Sequence, residues 1–318
     1  MIDIRRILCP TDFSEFAKRA LHHAIPLARW YESSLTVVHV LPTAVPVDGM
    51  FPYSLPPLAH EGVRTRVERE LDEFVAPARE AGIGVETVLR EGPVPPTILE
   101  LARSLPADLL VMGTHGESGL ERLVLGSVTE TVLRKAPCPV LTTSREDRAF
   151  SGPAPFKRIL CATDFSPAAD HALSYALSLA EEAQGALILL HVMPGPAVAA
   201  TASGVPIDLG RVTSGLERDA RESLRQAVPS EARVWCEAEE HVAFGRPADE
   251  IVRLAREREA QAIVMGVHGR NALNLMLFGS TTHHVIRHAP CPVLTIPAPR
   301  AADERQVAAD RLQTTARE

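Results

Sequence analysis

One long internal repeat constrains the fold of this chain more than any other feature. Arg6-Ile-Leu-Cys-Pro-Thr-Asp-Phe-Ser14 returns as Arg158-Ile-Leu-Cys-Ala-Thr-Asp-Phe-Ser166. His39-Val40 returns as His191-Val192, and Val111-Met-Gly-Thr-His-Gly116 returns as Val264-Met-Gly-Val-His-Gly269. Ala136-Pro-Cys-Pro-Val-Leu-Thr142 returns as Ala289-Pro-Cys-Pro-Val-Leu-Thr295. The displacement grows by a single residue across half the chain, so the 318 residues hold two copies of one unit. Solenoid repeats are far shorter, and a period this long marks a duplicated domain. The copies are expected at residues 1–143 and 157–297. Between them, residues 144–156 (SREDRAFSGPAPF) combine charge with Gly, Pro and Ser and read as a linker. Residues 298–318 form a polar tail without apolar periodicity.

Each copy alternates strand and helix. Ile4 to Cys9 is a short apolar run ended by Pro-Thr-Asp, suited to a strand buried on both faces. Ala17, Ala20, Leu21, Ala24, Leu27 and Ala28 follow at helical spacing, as do Ala169, Ala172, Leu173, Ala176, Leu179 and Ala180 in the second copy. Leu35 to Leu41 reads as a strand, and Pro42 to Pro57 is too proline-rich for a central strand or a helix. Val63, Val67, Leu71, Phe74 and Ala78 predict one helix, Val85 to Leu89 a strand and Ile98 to Leu105 a helix. Leu109 to Met112 is a fourth strand, a helix begins near Gly126, and Val140 to Thr142 closes the unit. Such alternation requires parallel strands joined by right-handed crossovers. The fold class is therefore α/β, two repeated open parallel Rossmann-like sheets, which bind ligands beyond the carboxyl ends of their strands.

Composition narrows the partners. With 33 Lys and Arg against 40 Asp and Glu, the net charge of −7 argues against nucleic acid or an anionic membrane held on a broad basic surface. No apolar run reaches a membrane span, and the N-terminus lacks the apolar core of a signal peptide, so a cytoplasmic protein is expected. Cys9, Cys138, Cys161, Cys236 and Cys291 include no Cys-x-x-Cys pair, and buried apolar roles are expected for them.

The chemistry is expected at the end of the fourth strand. Gly113-Thr-His-Gly116 is followed nine residues later by Gly126-Ser127, and Gly266-Val-His-Gly269 is followed at the same spacing by Gly279-Ser280. Glycines after a strand let the backbone turn and approach a ligand without a Cβ in the way. A Gly-Ser pair opening a helix adds free N–H groups, the positive end of the helix dipole and a hydroxyl, a combination suited to phosphate. Arg122 and Arg270 lie in the intervening loops.

With these motifs in place twice, the chain resembles the tandem-domain members of the universal stress protein family. The resemblance rests on Thr-Asp-Phe-Ser after strand one, on Gly-x2-Gly-x9-Gly-Ser, and on Ala-Pro-Cys-Pro-Val-Leu before the last strand. It implies a five-stranded parallel sheet per copy, like that of the adenine nucleotide alpha hydrolases, and binding of ATP with Mg²⁺ on its phosphates. Asp12 would then sit by the ribose and adenine, Val40 would meet the adenine edge through its backbone, and Gly113 would lie under the ribose. Gly116, Gly126, Ser127, Val128 and Thr129 would hold phosphates, with His115 beside them. The second copy supplies Asp164, Val192, Gly266, His268, Gly269, Gly279, Ser280, Thr281 and Thr282. The copies depart from each other where Pro10 becomes Ala162 and Val128-Thr129-Glu130 becomes Thr281-Thr282-His283. The resemblance also implies that Val140 to Thr142 and Val293 to Ile296 pair antiparallel within the chain, with homodimerisation and an unidentified protein partner left open.

Alternative roles stand beside these. Asp12 and Asp164 can orient the first turn or cap a helix with Ser14 or Ser166. His39 and His191, in apolar strands, read as hydrogen-bonded core histidines, and His115 and His268 can brace their loops. His284 and His288 have zinc-binding i, i+4 spacing, but no third ligand joins them, and a solvated helix face is the simpler reading. No P-loop, nicotinamide-type Gly-x-Gly-x-x-Gly after the first strand, nucleophile elbow or kinase signature is present. No catalytic residue and no protein-borne metal site is expected. An ATP-binding regulator leads, against a slow ATPase or autophosphorylating enzyme, or a scaffold with one or both sites empty.

Overall fold

The computed structural model describes residues 2–42, 57–116, 125–144, 147, 155–195, 209–267 and 279–298. The first copy runs β1 (Arg6–Thr11), α1 (Glu15–Trp30), β2 (Ser34–Leu41), α2 (Pro57–Phe74), α3 (Ala76–Glu80), β3 (Val85–Glu91), α4 (Val94–Ser104), β4 (Leu109–Gly113), α5 (Ser127–Lys135) and β5 (Val140–Thr143). The second runs β6 (Arg158–Ala162), α6 (Pro167–Ala183), β7 (Ala186–Met193), α7 (Leu209–Ala227), α8 (Ala232–Trp235), β8 (Glu237–Phe244), α9 (Pro247–Glu257), β9 (Ala262–Gly266), α10 (Ser280–His288) and β10 (Val293–Ile296). Arg122, His268, Gly269 and Arg270 lie outside the described residues, as do most of the proline-rich stretch and the linker and nearly all of the tail.

The strands form one ten-stranded sheet in the order β3-β2-β1-β4-β5-β10-β9-β6-β7-β8. Within each copy every pairing is parallel. At the centre β5 and β10 pair antiparallel, with Leu141 opposite Leu294, as the resemblance implied. Thr142 Oγ1 donates to the Val293 carbonyl at 3.2 Å and Thr295 Oγ1 to the Val140 carbonyl at 3.1 Å, a reciprocal pair across this seam. Nearby, Glu182 of α6 accepts from the Ile2 N–H at 3.0 Å and also from Tyr31, at the end of α1. Two hydrophobic cores, one on each face of the sheet, both contain residues from both copies. All five cysteines lie in this interior, and burial pushes the Cys9 and Cys161 thiols up to about 12.

Two elements differ from the sequence reading. The helix expected through Ala78 breaks at Val75, with Ala78 falling in α3. Pro77 has no N–H to donate and its ring clashes with the carbonyl four residues back, which favours a break here, although α1 runs on through Pro26. The first strand runs on through Pro10 to Thr11, where it was expected to end at Cys9. Pairing of β1 with β4 ends at Leu8, so Pro10 has only β2 as a neighbour. A proline is tolerated there because one side of the strand asks for no donor.

Candidate functional site

Strand order within each copy reverses direction between β1 and β4, and again between β6 and β9. Open α/β sheets gape at that switch point, beyond the carboxyl ends of the strands. Every sequence-predicted group that the structure describes in either copy comes from elements that converge there or on the neighbouring strand β2 or β7.

The turn after β1 is built by its own side chains. Thr11 Oγ1 accepts from the Phe13 N–H at 2.9 Å, Asp12 Oδ1 from the Ser14 N–H at 3.1 Å, and Ser14 Oγ from the Ala17 N–H at 3.2 Å, capping α1. These three bonds hold Phe13 at a φ of 66°, a left-handed conformation costly for a bulky residue. The second copy repeats each bond through Thr163, Asp164 and Ser166, with Phe165 at a φ of 58°. His39 and His191 serve this turn: each Nδ1 lies 2.9 Å from the carbonyl of Thr11 or Thr163, and each ring packs on Phe13 or Phe165. Asp12 and Asp164 therefore do orient the turn.

Each glycine has its own neighbour. A Cβ on Gly113 would lie 2.7 Å from the Phe16 Cβ and 2.9 Å from its backbone, so the end of β4 sits directly beneath the first turn of α1. Gly266 lies in the same way beneath Ala168. Gly116 faces the Asp12 Oδ2, so a Cβ there would have to displace the Asp12 carboxylate. Gly126 donates its N–H to the Thr114 carbonyl at 3.0 Å and stands at the N-cap of α5 without a side-chain cap. Gly279 holds the corresponding place before α10.

Downstream of these glycines the helices present their first N–H groups, at Ser127, Val128 and Thr129 and at Ser280, Thr281 and Thr282, ahead of the i to i−4 ladder. The hydroxyls of Thr129 and Thr282 turn inward: Thr129 Oγ1 donates to the Gly113 carbonyl at 2.9 Å and Thr282 Oγ1 toward that of Gly266 at 3.4 Å. These threonines offer a ligand their backbone, and their side chains pin helix to strand. His115 is hydrogen-bonded through Nδ1 to Thr114 Oγ1 at 3.0 Å and packs on Phe16. Val40 is buried at the end of β2 opposite Arg90, and Val192 is half-buried opposite Ala243.

Two features were not anticipated from the sequence. The Phe13 and Phe165 conformations were signalled only by the exact repetition of Thr-Asp-Phe-Ser. Arg246 lines a cleft between α9 and α10, where His284 pairs with Asp249 at 3.3 Å and stacks on His288. His284 keeps 41% of its side-chain surface exposed, in keeping with the solvated helix face expected, while also lining this cleft. Among the described residues no group of three or more His, Cys, Asp or Glu is placed to hold a metal ion, and no helix is long and apolar enough to cross a membrane.

The model of the universal stress protein family matches residues 3–144 and again 155–297. A universal stress protein of Mycolicibacterium smegmatis is 26% identical over 294 residues, 91% of this chain and 96% of the relative. One from Methanocaldococcus jannaschii is 34% identical over 145 residues, 44% of this chain and 82% of the relative. The crystal structure of a universal stress protein from Archaeoglobus fulgidus superimposes with a TM-score of 0.69 at 25% identity, covering 93% of this chain and 97% of that one.

Proposed function

Because the chain belongs to the universal stress protein family, we propose that it is an ATP-binding regulatory protein whose nucleotide state is read by a protein partner. The observation that carries this reading is the same convergence in both copies. A braced aspartate, a strand-end glycine and an uncapped helix N-terminus meet at the switch point of the sheet. Uncapped N–H groups and the helix dipole favour anionic phosphate, and the glycines keep Cβ atoms out of its path. In this reading Val40 and Val192 meet the adenine, Asp12 and Asp164 the ribose, and Ser127, Val128, Ser280 and Thr281 the phosphates through N–H or hydroxyl groups. Gly116 and Gly269 would hold phosphates, and Mg²⁺ arrives with the nucleotide. When bound, ATP supplies a charged polyphosphate whose presence or loss changes the surface around the glycine loops. The sequence contains no P-loop lysine, and hydrolysis is slow.

Purified protein, denatured and chromatographed, is expected to release adenine nucleotide, and calorimetry on stripped protein is expected to show ATP binding. Asp12→Ala is expected to weaken that binding at the first site. Failure of stripped, folded protein to bind ATP would overturn the reading. Turnover faster than about 1 per second, the lower end of ordinary enzymes, would favour the enzyme instead.

A further inference from the structure

The two copies are not equivalent where α9 and α10 begin. Between those helices lies a cleft of about 380 Å³ lined by Arg246, Asp249, Ser280, Thr281, His283 and His284, among others. At the matching positions the first copy carries Pro93, Pro96, Ser127, Val128, Glu130 and Thr131. One arginine and two histidines in the second copy thus stand where the first has a proline, a carboxylate and a threonine. Resting on the nucleotide-binding reading above, we propose that Arg246 and His284 make the second site more selective than the first for nucleotides with an extended phosphate chain.

The charges around this cleft favour an added anion. From α9, Arg246 and Asp249 face it, with Arg246 Nε and Asp249 Oδ2 3.8 Å apart. From α10, His283 and His284 line the cleft, and Arg287 and His288 add positive charge behind them. From α5, the Glu130 carboxylate acts on His283 in the opposite sense. Burial first, and then neighbouring positive charge, hold both histidines below the usual imidazole range, with Asp249 opposing on His284. Among the described residues Asp249 is the only carboxylate lining the cleft, and it is already paired with both His284 and Arg246. A phosphate placed among Arg246, His284 and the N–H groups of Ser280 and Thr281 would compete with that carboxylate and compensate the remaining positive charge. It would also draw protons onto the histidines.

The test is calorimetric titration of the stripped full chain with ATP and with AMP, on wild type, Arg246→Ala/His284→Ala and Asp249→Asn. Each variant is first checked by circular dichroism; Arg246 and Asp249 are exposed, so folding is expected to survive. The double variant is expected to lose about tenfold in ATP affinity at one class of site, with AMP binding and the other class unchanged. Asp249→Asn is expected to tighten ATP severalfold, an effect of opposite sign that general loss of structure does not produce. At pH 6.5, ATP binding is expected to take up protons, read as a buffer-dependent enthalpy that is reduced in the double variant, where only His283 remains to take one up. ATP binding that is indifferent to these substitutions, or weakened by Asp249→Asn, would overturn this inference and leave the parent reading intact. No binding of either nucleotide to the wild type would overturn both.

Discussion

Acid should unfold this protein partly through one buried imidazole. His23 lies inside α1 with 2% of its surface exposed, among the alanines and leucines that pack on the sheet. Burial, reinforced by positive charge on His22 and Arg19, pushes its pKa down to about 4. In the unfolded chain the same ring titrates at about 6.5. Between those values the unfolded state binds the extra proton, so His23 costs nothing above pH 6.5. Stability is then lost as pH falls toward 4. Linkage puts the loss at about 2.5 kcal/mol on going from pH 7.5 to pH 4.5. His23→Leu abolishes the titration while filling a similar volume with apolar atoms. Urea unfolding followed by far-UV circular dichroism at both pH values measures each loss. The variant should lose about 2.5 kcal/mol less than wild type over this interval. The second copy carries Tyr175 at the matching position, which has no charge to gain in this range. Equal losses in wild type and variant would refute the argument, since every other titrating group is shared.

Two further substitutions probe the frame of the site. Gly113→Ala drives a Cβ to 2.7 Å from Phe16 and is expected to cost about 1–3 kcal/mol by overpacking. Gly266→Ala meets Ala168 at 3.0 Å or more and should cost less, so equal drops in thermal midpoint would contradict the packing argument. At the seam, Glu182→Ala removes the acceptor of the Tyr31 hydroxyl and leaves the Ile2 N–H with Ser178 Oγ alone, with an expected loss of about 1–3 kcal/mol. A double-mutant cycle with Tyr31→Phe checks it: additive effects would mean that the hydroxyl and carboxylate do not interact.

Much of this architecture was legible because the repeat supplied two readings of each element. The strands ending in Met-Gly, the alanine-rich helices after the first turn and the central antiparallel pair all lie where residue pattern and resemblance put them, and the first strand differs only at its ends. The misses share a cause. Periodicity extends a helix past Pro77 because Ala78 stays in phase, while a missing donor is a property of one residue. The inward turn of the Thr129 hydroxyl depends on how closely α5 sits over β4, which spacing does not encode. The pairing of Asp249 with His284 joins two helices that a strand separates in sequence. Only the difference between the copies hinted at it, in the replacement of Glu130-Thr131 by His283-His284.

The continuous strand ladder through β5 and β10 has a consequence for how the halves can change over time. Two identical subunits meeting on a two-fold axis must present the same residue to each other, so a charge on the axis faces its own sign. Here the two faces belong to one polypeptide and are free to differ. Glu130 and His283 occupy matching positions in the two copies and sit close enough that the carboxylate favours the imidazolium. What symmetry would have made a repulsion between like groups is, in a fused pair, an attraction. Covalent linkage thereby lets one half keep its original chemistry while the other is remade.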